Sequence, residues 1–121
     1  MKRLILTILA SIGTVSAHAG EADVLSADIR LDANGTYTIS VEVEHADDGW
    51  DHYADAWEVI APDGTVLATR ILAHPHVNEQ PFIRSKSGIT IPEDVDEVTL
   101  RARDLVHGFG GREMTVTVPR Q

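Results

Sequence analysis

The amino-acid sequence predicts an all-β domain, a seven-stranded antiparallel β-sandwich of the immunoglobulin or fibronectin type III kind, following an N-terminal signal peptide. Apolar and polar residues alternate with a period of two in most segments of the chain. Turn-forming residues separate these segments at short intervals, and no segment has a convincing helical pattern. These observations together favour short strands packed as two sheets.

The first 19 residues have the pattern of a secretory leader. A basic start is followed by an apolar run over 4–12 and by small residues up to Ala19. This run is too short to span a bilayer comfortably. Cleavage after Ala17 or after Ala19 fits the pattern, and the first of these would leave His18 as the mature N-terminus. We favour cleavage after Ala19, which gives a signal peptide over 1–19, one domain over 20–121, and a periplasmic or secreted location.

Composition limits the partners of the mature domain. The formal charge is −9, and it becomes −11 without the leader, which carries two basic and no acidic residues. Such an acidic domain will not bind nucleic acid or an anionic membrane through a general electrostatic field. The chain has no cysteine, so core packing must hold the fold without disulfides.

The first three strands follow from alternation and turn chemistry. Residues 25–31 and 37–44 alternate, and Asn34-Gly35 between them supplies the positive φ that a tight hairpin requires. A polar loop over 46–55 interrupts the pattern. The third strand, 56–61, carries Trp57, which we expect to be the central aromatic residue of the core.

The remaining strands follow the same rule, although alternation is weaker in the fifth. Turns rich in proline, aspartate and glycine precede the fourth strand and the sixth. These four strands are predicted at 66–72, 82–91, 98–103 and 114–118.

Antiparallel reversal would gather the long loops at one end of the sandwich. The loops after the second, fourth and sixth strands, at 46–55, 73–81 and 106–111, should lie at this end, which we call the histidine pole. They carry most of the histidines, whereas the opposite end has tight acidic turns without histidine. Binding loops often cluster at one pole of immunoglobulin-like domains.

A metal site is the functional hypothesis that this clustering supports. His74 and His76 flank Pro75, which favours extended geometry and directs both imidazoles to one side. Imidazoles with nearby carboxylates suit Cu(II) or Zn(II), whereas the soft ligands that Cu(I) prefers are missing. The predicted ligands of a copper or zinc ion are His74, His76 and His107, with His52 or His45 as a fourth.

Other polar and aromatic residues are expected to support this site. His45 and Asp104 each continue the inward-facing series of a strand, so both should be buried at the histidine pole and need a partner there. Carboxylates that hydrogen-bond to metal-bound imidazoles would orient them; the candidates are Asp51, Asp55 and Asp104. The expected pocket-lining residues are Trp50, Tyr53, Phe82 and Phe109.

An enzyme is not predicted, because the chain has no Gly-x-Ser-x-Gly, no His-Glu-x-x-His and no phosphate-binding glycine loop. A metal-dependent oxidase or hydrolase stays open as a lesser alternative. The main alternative is a non-metal module that recognises a small ligand or another periplasmic protein. In such a module the histidines would be structural or would sense pH.

Three motifs carry a resemblance: WDHYADAWEV at 50–59, LAHPHVNEQPF at 72–82 and VHGFGG at 106–111. The chain resembles a family of small exported proteins of Gram-negative bacteria, a likeness that implies export but no particular activity. In architecture it is also similar to immunoglobulin-like periplasmic copper-resistance carriers. That likeness implies Cu(II) binding through a mature N-terminal histidine with further His and Asp ligands, and this histidine would be His18 if the leader is cleaved after Ala17.

Overall fold

A computed structural model describes residues 20–121 and confirms the predicted all-β sandwich of seven antiparallel strands. The predicted leader and its cleavage sites lie outside the described residues. The strands are β1 (Asp23–Leu31), β2 (Tyr37–Glu44), β3 (Ala54–Ile60), β4 (Val66–Ile71), β5 (Phe82–Ile89), β6 (Glu97–Asp104) and β7 (Met114–Thr117).

The strands form two sheets that enclose a single apolar core. One sheet has the order β1-β2-β5 and the other has the order β4-β3-β6-β7. The fourth strand thus pairs with the third, as expected for a fibronectin type III-like arrangement. Trp57 is fully buried between the sheets, which confirms its predicted place in the core. Tyr37 and Phe82 are the other large aromatic residues buried there.

A β-bulge in β1 changes which residues of that strand enter the core. The register between β1 and β2 shifts between Val24 and Ser26, so Leu25 is an extra residue in the ladder. Val24 is fully buried as a result, whereas Leu25 lies outside the core cluster. The sequence predicts that Leu25 faces inward with Ala27, Ile29 and Leu31, and this prediction was wrong for Leu25. An extra residue in a strand reverses the alternation of side-chain faces at the point where it is inserted.

The antiparallel reversals place the loops after β2, β4 and β6 at one end, as the histidine pole requires. His45, directly after β2, is 3% exposed, and Asp104, the last residue of β6, is 0% exposed. Both predicted inward orientations are confirmed. Within residues 20–121, no helix has the length and apolar character needed to cross a membrane.

Candidate metal centre

Three donor side chains converge at the histidine pole from separate parts of the chain. His45 follows β2, His52 lies in the loop before β3, and Asp104 ends β6. The two histidine Nε2 atoms are 3.2 Å apart, and His52 Nε2 lies 3.2 Å from Asp104 Oδ1. One donor atom from each residue lies within 4.8 Å of the other two, so this cluster could hold a metal ion.

His45 is oriented by a second buried carboxylate. Its Nδ1–H donates to Asp47 Oδ1 over 2.7 Å, which turns Nε2 towards His52 and Asp104. Burial lowers the pKa of His45, but the Asp47 hydrogen bond and the charges of Asp47 and Asp104 outweigh burial and raise that pKa. A carboxylate behind an imidazole is the arrangement that fixes the tautomer and orientation of a metal ligand.

Asp47 itself is held by three donors. Besides His45, the Ala54 N–H donates to Oδ1 over 3.0 Å and the His76 N–H donates to Oδ2 over 2.7 Å. Burial raises the pKa of Asp47, but these hydrogen bonds outweigh it and leave the pKa below its usual value. The side chain is therefore a buried carboxylate that joins two loops of the histidine pole.

Asp104 is anchored by the loop that follows it. The amides of Val106 and His107 donate to Asp104 Oδ1 over 2.9 and 2.8 Å. His107 Nδ1 lies 3.1 Å from the same oxygen, so this imidazole supports Asp104 at the edge of the three-residue group. Burial raises the pKa of Asp104, but the two amides, the His107 side chain and the charge of His45 together lower it.

The loop between β4 and β5 places its two histidines in a neighbouring cluster. The His76 ring stacks on Phe82 at 3.9 Å, and Arg84 Nη2 donates to His76 Nε2 over 2.9 Å. His74 is exposed, with its ring 4.7 Å from that of His76. Burial lowers the pKa of His76, and the positive charge of Arg84 lowers it further. These two imidazoles are close together, as their spacing predicts, but outside the His45–His52–Asp104 group.

The other predicted site residues have different surroundings. Asp51 is exposed, while Asp55 Oδ1 faces Arg103 Nε at 3.6 Å and burial raises the pKa of Asp55. Trp50 is 66% exposed and its ring meets that of Tyr53 edge-on at 5.7 Å. The remaining two aromatic residues are covered by other groups: Phe82 lies under His76, and Phe109 lies 4.0 Å from the guanidinium carbon of Arg101.

Three residues of this region were missed by sequence reasoning. They are Asp47, Gln80 and Gly20. The Gln80 amide oxygen accepts from the His45 N–H over 3.0 Å, and its Nε2 donates to the His76 carbonyl over 3.0 Å. The Gly20 carbonyl lies 3.0 Å from His45 Nε2. Alternation ends at Glu44, so a period-two pattern has no information about these loop contacts.

Comparison with known proteins finds a relative in an archaeon. The chain is 38% identical over 96 residues to a protein of Halomicrobium mukohataei named "Putative lipoprotein", a match that covers 79% of this chain and 47% of the relative. The chain therefore spans about half the length of the curated relative it matches. No family model matches the chain, and no solved structure matches it either. Membership of the predicted Gram-negative family stays a prediction, and the relative shown here is archaeal.

Proposed function

We propose that this protein is an exported metal-binding domain that holds a divalent transition-metal ion, Zn(II) or Cu(II), through His45, His52 and Asp104. The observation that carries the proposal is the convergence of two imidazole nitrogens and one carboxylate oxygen, with His45 and Asp104 buried and His52 partly buried. The proposed role is binding, as a carrier or buffer, rather than catalysis.

The distances within the group support this assignment. Two ligand atoms on a tetrahedral Zn(II) ion with bonds of about 2.0–2.1 Å are separated by roughly 3.3 Å. The observed separations are 3.2 Å between the two imidazole Nε2 atoms, 3.2 Å from His52 Nε2 to Asp104 Oδ1, and 3.9 Å from His45 Nε2 to Asp104 Oδ2. Small side-chain movements would therefore bring all three donors to an ion. Imidazole and carboxylate ligands suit Zn(II) and Cu(II).

Export to the periplasm or the cell surface is the location that best fits the chain. The leader-like pattern over 1–19 supports it, as does the name of the relative, which is that of a lipoprotein. The three motifs of the sequence favour the same compartment. The expected partner is therefore a metal ion supplied outside the cytoplasm.

Titration calorimetry of the mature protein with Zn(II) and with Cu(II) tests the proposal. We expect one ion per chain. His52→Gln removes one of the three donors and should weaken binding at least about tenfold. His52 is only partly buried, so its replacement is suited to this test. His74→Gln is the matched control, since His74 is exposed and lies outside the donor group. Equal affinities in the two variants, or no heat in the unaltered protein, would contradict the assignment.

A second candidate function is a non-metal binding module. The observation in its favour is the exposure of large apolar side chains at the histidine pole, with Trp50 66%, Val106 61% and Leu105 44% exposed. Exposed apolar residues grouped in this way are typical of protein or ligand contacts. In this module the histidines would pack the loops. A thermal melt that chelator and added metal leave unchanged would favour it over the metal-binding function.

A further inference from the structure

The segment before β1 lies directly beside the candidate metal centre. The Gly20 carbonyl oxygen is 3.0 Å from His45 Nε2, the atom that also faces His52 and Asp104. A backbone oxygen therefore lies next to one of the three side-chain donors, where it is a candidate for a fourth donor atom. This donor belongs to the backbone, so its position depends on how residues 20–23 are held.

The loop after β6 holds this segment in place by a very close approach. A Cβ atom on Gly111 would lie 2.0 Å from the Ala22 carbonyl oxygen. Any other residue at this position would therefore force the two backbone segments apart. The Arg112 N–H donates to Asp23 Oδ1 over 2.7 Å, and the Val24 N–H donates to the Arg112 carbonyl over 2.8 Å. Ala22 is fully buried beneath this contact.

We propose that the Gly20 carbonyl oxygen is the fourth ligand of the metal ion, and that Gly111 is a positioning residue that seats it. This inference rests on the proposed function. It assigns the donor set as two imidazole nitrogens, one carboxylate oxygen and one backbone carbonyl oxygen. Four donors is the number that tetrahedral Zn(II) takes.

The geometry around His45 Nε2 carries the assignment. Its distances to Gly20 O, to His52 Nε2 and to Asp104 Oδ2 are 3.0, 3.2 and 3.9 Å, spacings that ligands of one small ion can adopt. Sites with four protein donors have no open position for a substrate and are closed, unlike catalytic zinc sites. The fourth donor thus favours storage or delivery of the ion over chemistry on it.

Three versions of the protein with different first residues test the carbonyl ligand. They begin at His18, at Gly20 and at Glu21, and each is titrated with Zn(II) in a calorimeter. The first two keep the Gly20 carbonyl and should bind alike, whereas the third lacks it and should bind at least about tenfold more weakly.

The outcomes that overturn the inference can be told apart. Equal affinity in the version beginning at Glu21 would remove Gly20 from the site and leave the proposed function standing. Weaker binding in the version beginning at His18 than in that beginning at Gly20 would assign the donor to a free α-amine instead of the carbonyl. Binding by none of the three versions would remove the proposed function and this inference together.

Gly111→Ala tests the positioning role without altering any donor. We expect weaker Zn(II) binding, because the added methyl group displaces residues 20–23. Gly64→Ala is the matched control, since Gly64 has a φ of +92° in a turn at the opposite end and its replacement is strained without touching the segment. If both variants melt at lower temperature but bind Zn(II) as tightly as the unaltered protein, Gly111 does not position a ligand.

Discussion

Asp47 connects three parts of the histidine pole through one carboxylate. It accepts hydrogen bonds from the His45 ring, from the Ala54 amide at the start of β3, and from the His76 amide in the loop after β4. Each of these donors would be costly to leave without a partner in a buried place. The side chain is therefore important for the fold of the loops even when no ion is bound.

Asp47→Asn should destabilise the metal-free protein by about 2 kcal/mol or more, because an amide N–H₂ would face one of the three donors and leave it unsatisfied. Urea unfolding followed by circular dichroism measures the change. Asp51→Asn is the control, since Asp51 is an exposed carboxylate of the same loop, and it should alter the unfolding free energy by no more than about 0.5 kcal/mol. Equal effects of the two substitutions would contradict the bridging role of Asp47.

The inward orientation of individual site residues was predictable only where strand periodicity extends to them. His45 and Asp104 follow strands whose inward residues are already clear, so continuing the alternation places both in the interior. Asp47 lies three residues beyond the end of β2, where the backbone no longer alternates. Its partners come from two other loops, and such distant contacts leave no local pattern in the sequence.

Among the loops and strands, the connection between β4 and β5 has its own polar cluster. His76 is 6% exposed, stacks on Phe82 and accepts a hydrogen bond from Arg84. The neutral imidazole is the form that accepts from Arg84, and burial together with the guanidinium charge lowers the His76 pKa. The loop conformation therefore depends on the protonation state of this side chain.

This dependence predicts a pH effect on stability. Because the folded pKa of His76 is lowered, the unfolded chain takes up its proton first, near its ordinary pKa of about 6.5. The stabilisation by neutral His76 is thus complete above that value and decreases as the pH falls below it. His76→Gln should cost about 1–2 kcal/mol at pH 8, and the difference from the unaltered protein should shrink towards pH 5.

Urea unfolding at several pH values between 8 and 5 measures this difference. Asn78→Ala changes an exposed residue of the same loop that does not titrate, so its difference from the unaltered protein should be independent of pH. A His76→Gln difference that stays constant over this range would contradict the role assigned to the neutral imidazole.

The strands themselves were predictable because alternation and turn chemistry agree along nearly the whole chain. The hairpin at Asn34-Gly35 and the turn at 62–64 lie where the sequence predicts them, with positive φ at Gly35 and Gly64. The bulge at Leu25 was not predictable, because an extra residue in a ladder depends on pairing with β2 and not on the local pattern.

For the molecule as a whole, the core and the candidate site are separate. The core cluster lies between the sheets, whereas the donors lie at the ends of strands and in loops. The domain should therefore be folded without metal, and an ion that binds only the folded state should raise its stability by mass action. The size of that increase depends on the free ion concentration relative to the dissociation constant.

Zn(II) at about one hundred times its dissociation constant should stabilise the domain by about 2.7 kcal/mol. For a domain of this length that corresponds to an increase of roughly 10–20 °C in Tm. Thermal melts with Zn(II), and with chelator added afterwards, measure the effect and its reversal. His52→Gln should give a much smaller increase at the same Zn(II) concentration, and an undiminished one would mean that the ion binds elsewhere.

The antiparallel order of the strands explains why the general position of the candidate site could be predicted while the choice of side chains that converge there could not. Reversal at each connection brings the loops after β2, β4 and β6 to one end whatever their detailed shape. Which imidazoles then face one another depends on hydrogen bonds such as that between His45 and Asp47. For this reason His74 and His76 form one cluster, and His45 and His52 form another.

The contact of Gly111 with Ala22 has a further consequence for how the protein would mature. Residues 20–22 can take up their position only after the loop between β6 and β7 has formed, although most of the chain separates the two segments. A polypeptide that is exported from its N-terminus would consequently lack the complete set of proposed ligands until synthesis and folding had finished. Under the proposed function, ion capture would then follow the folding of the whole domain.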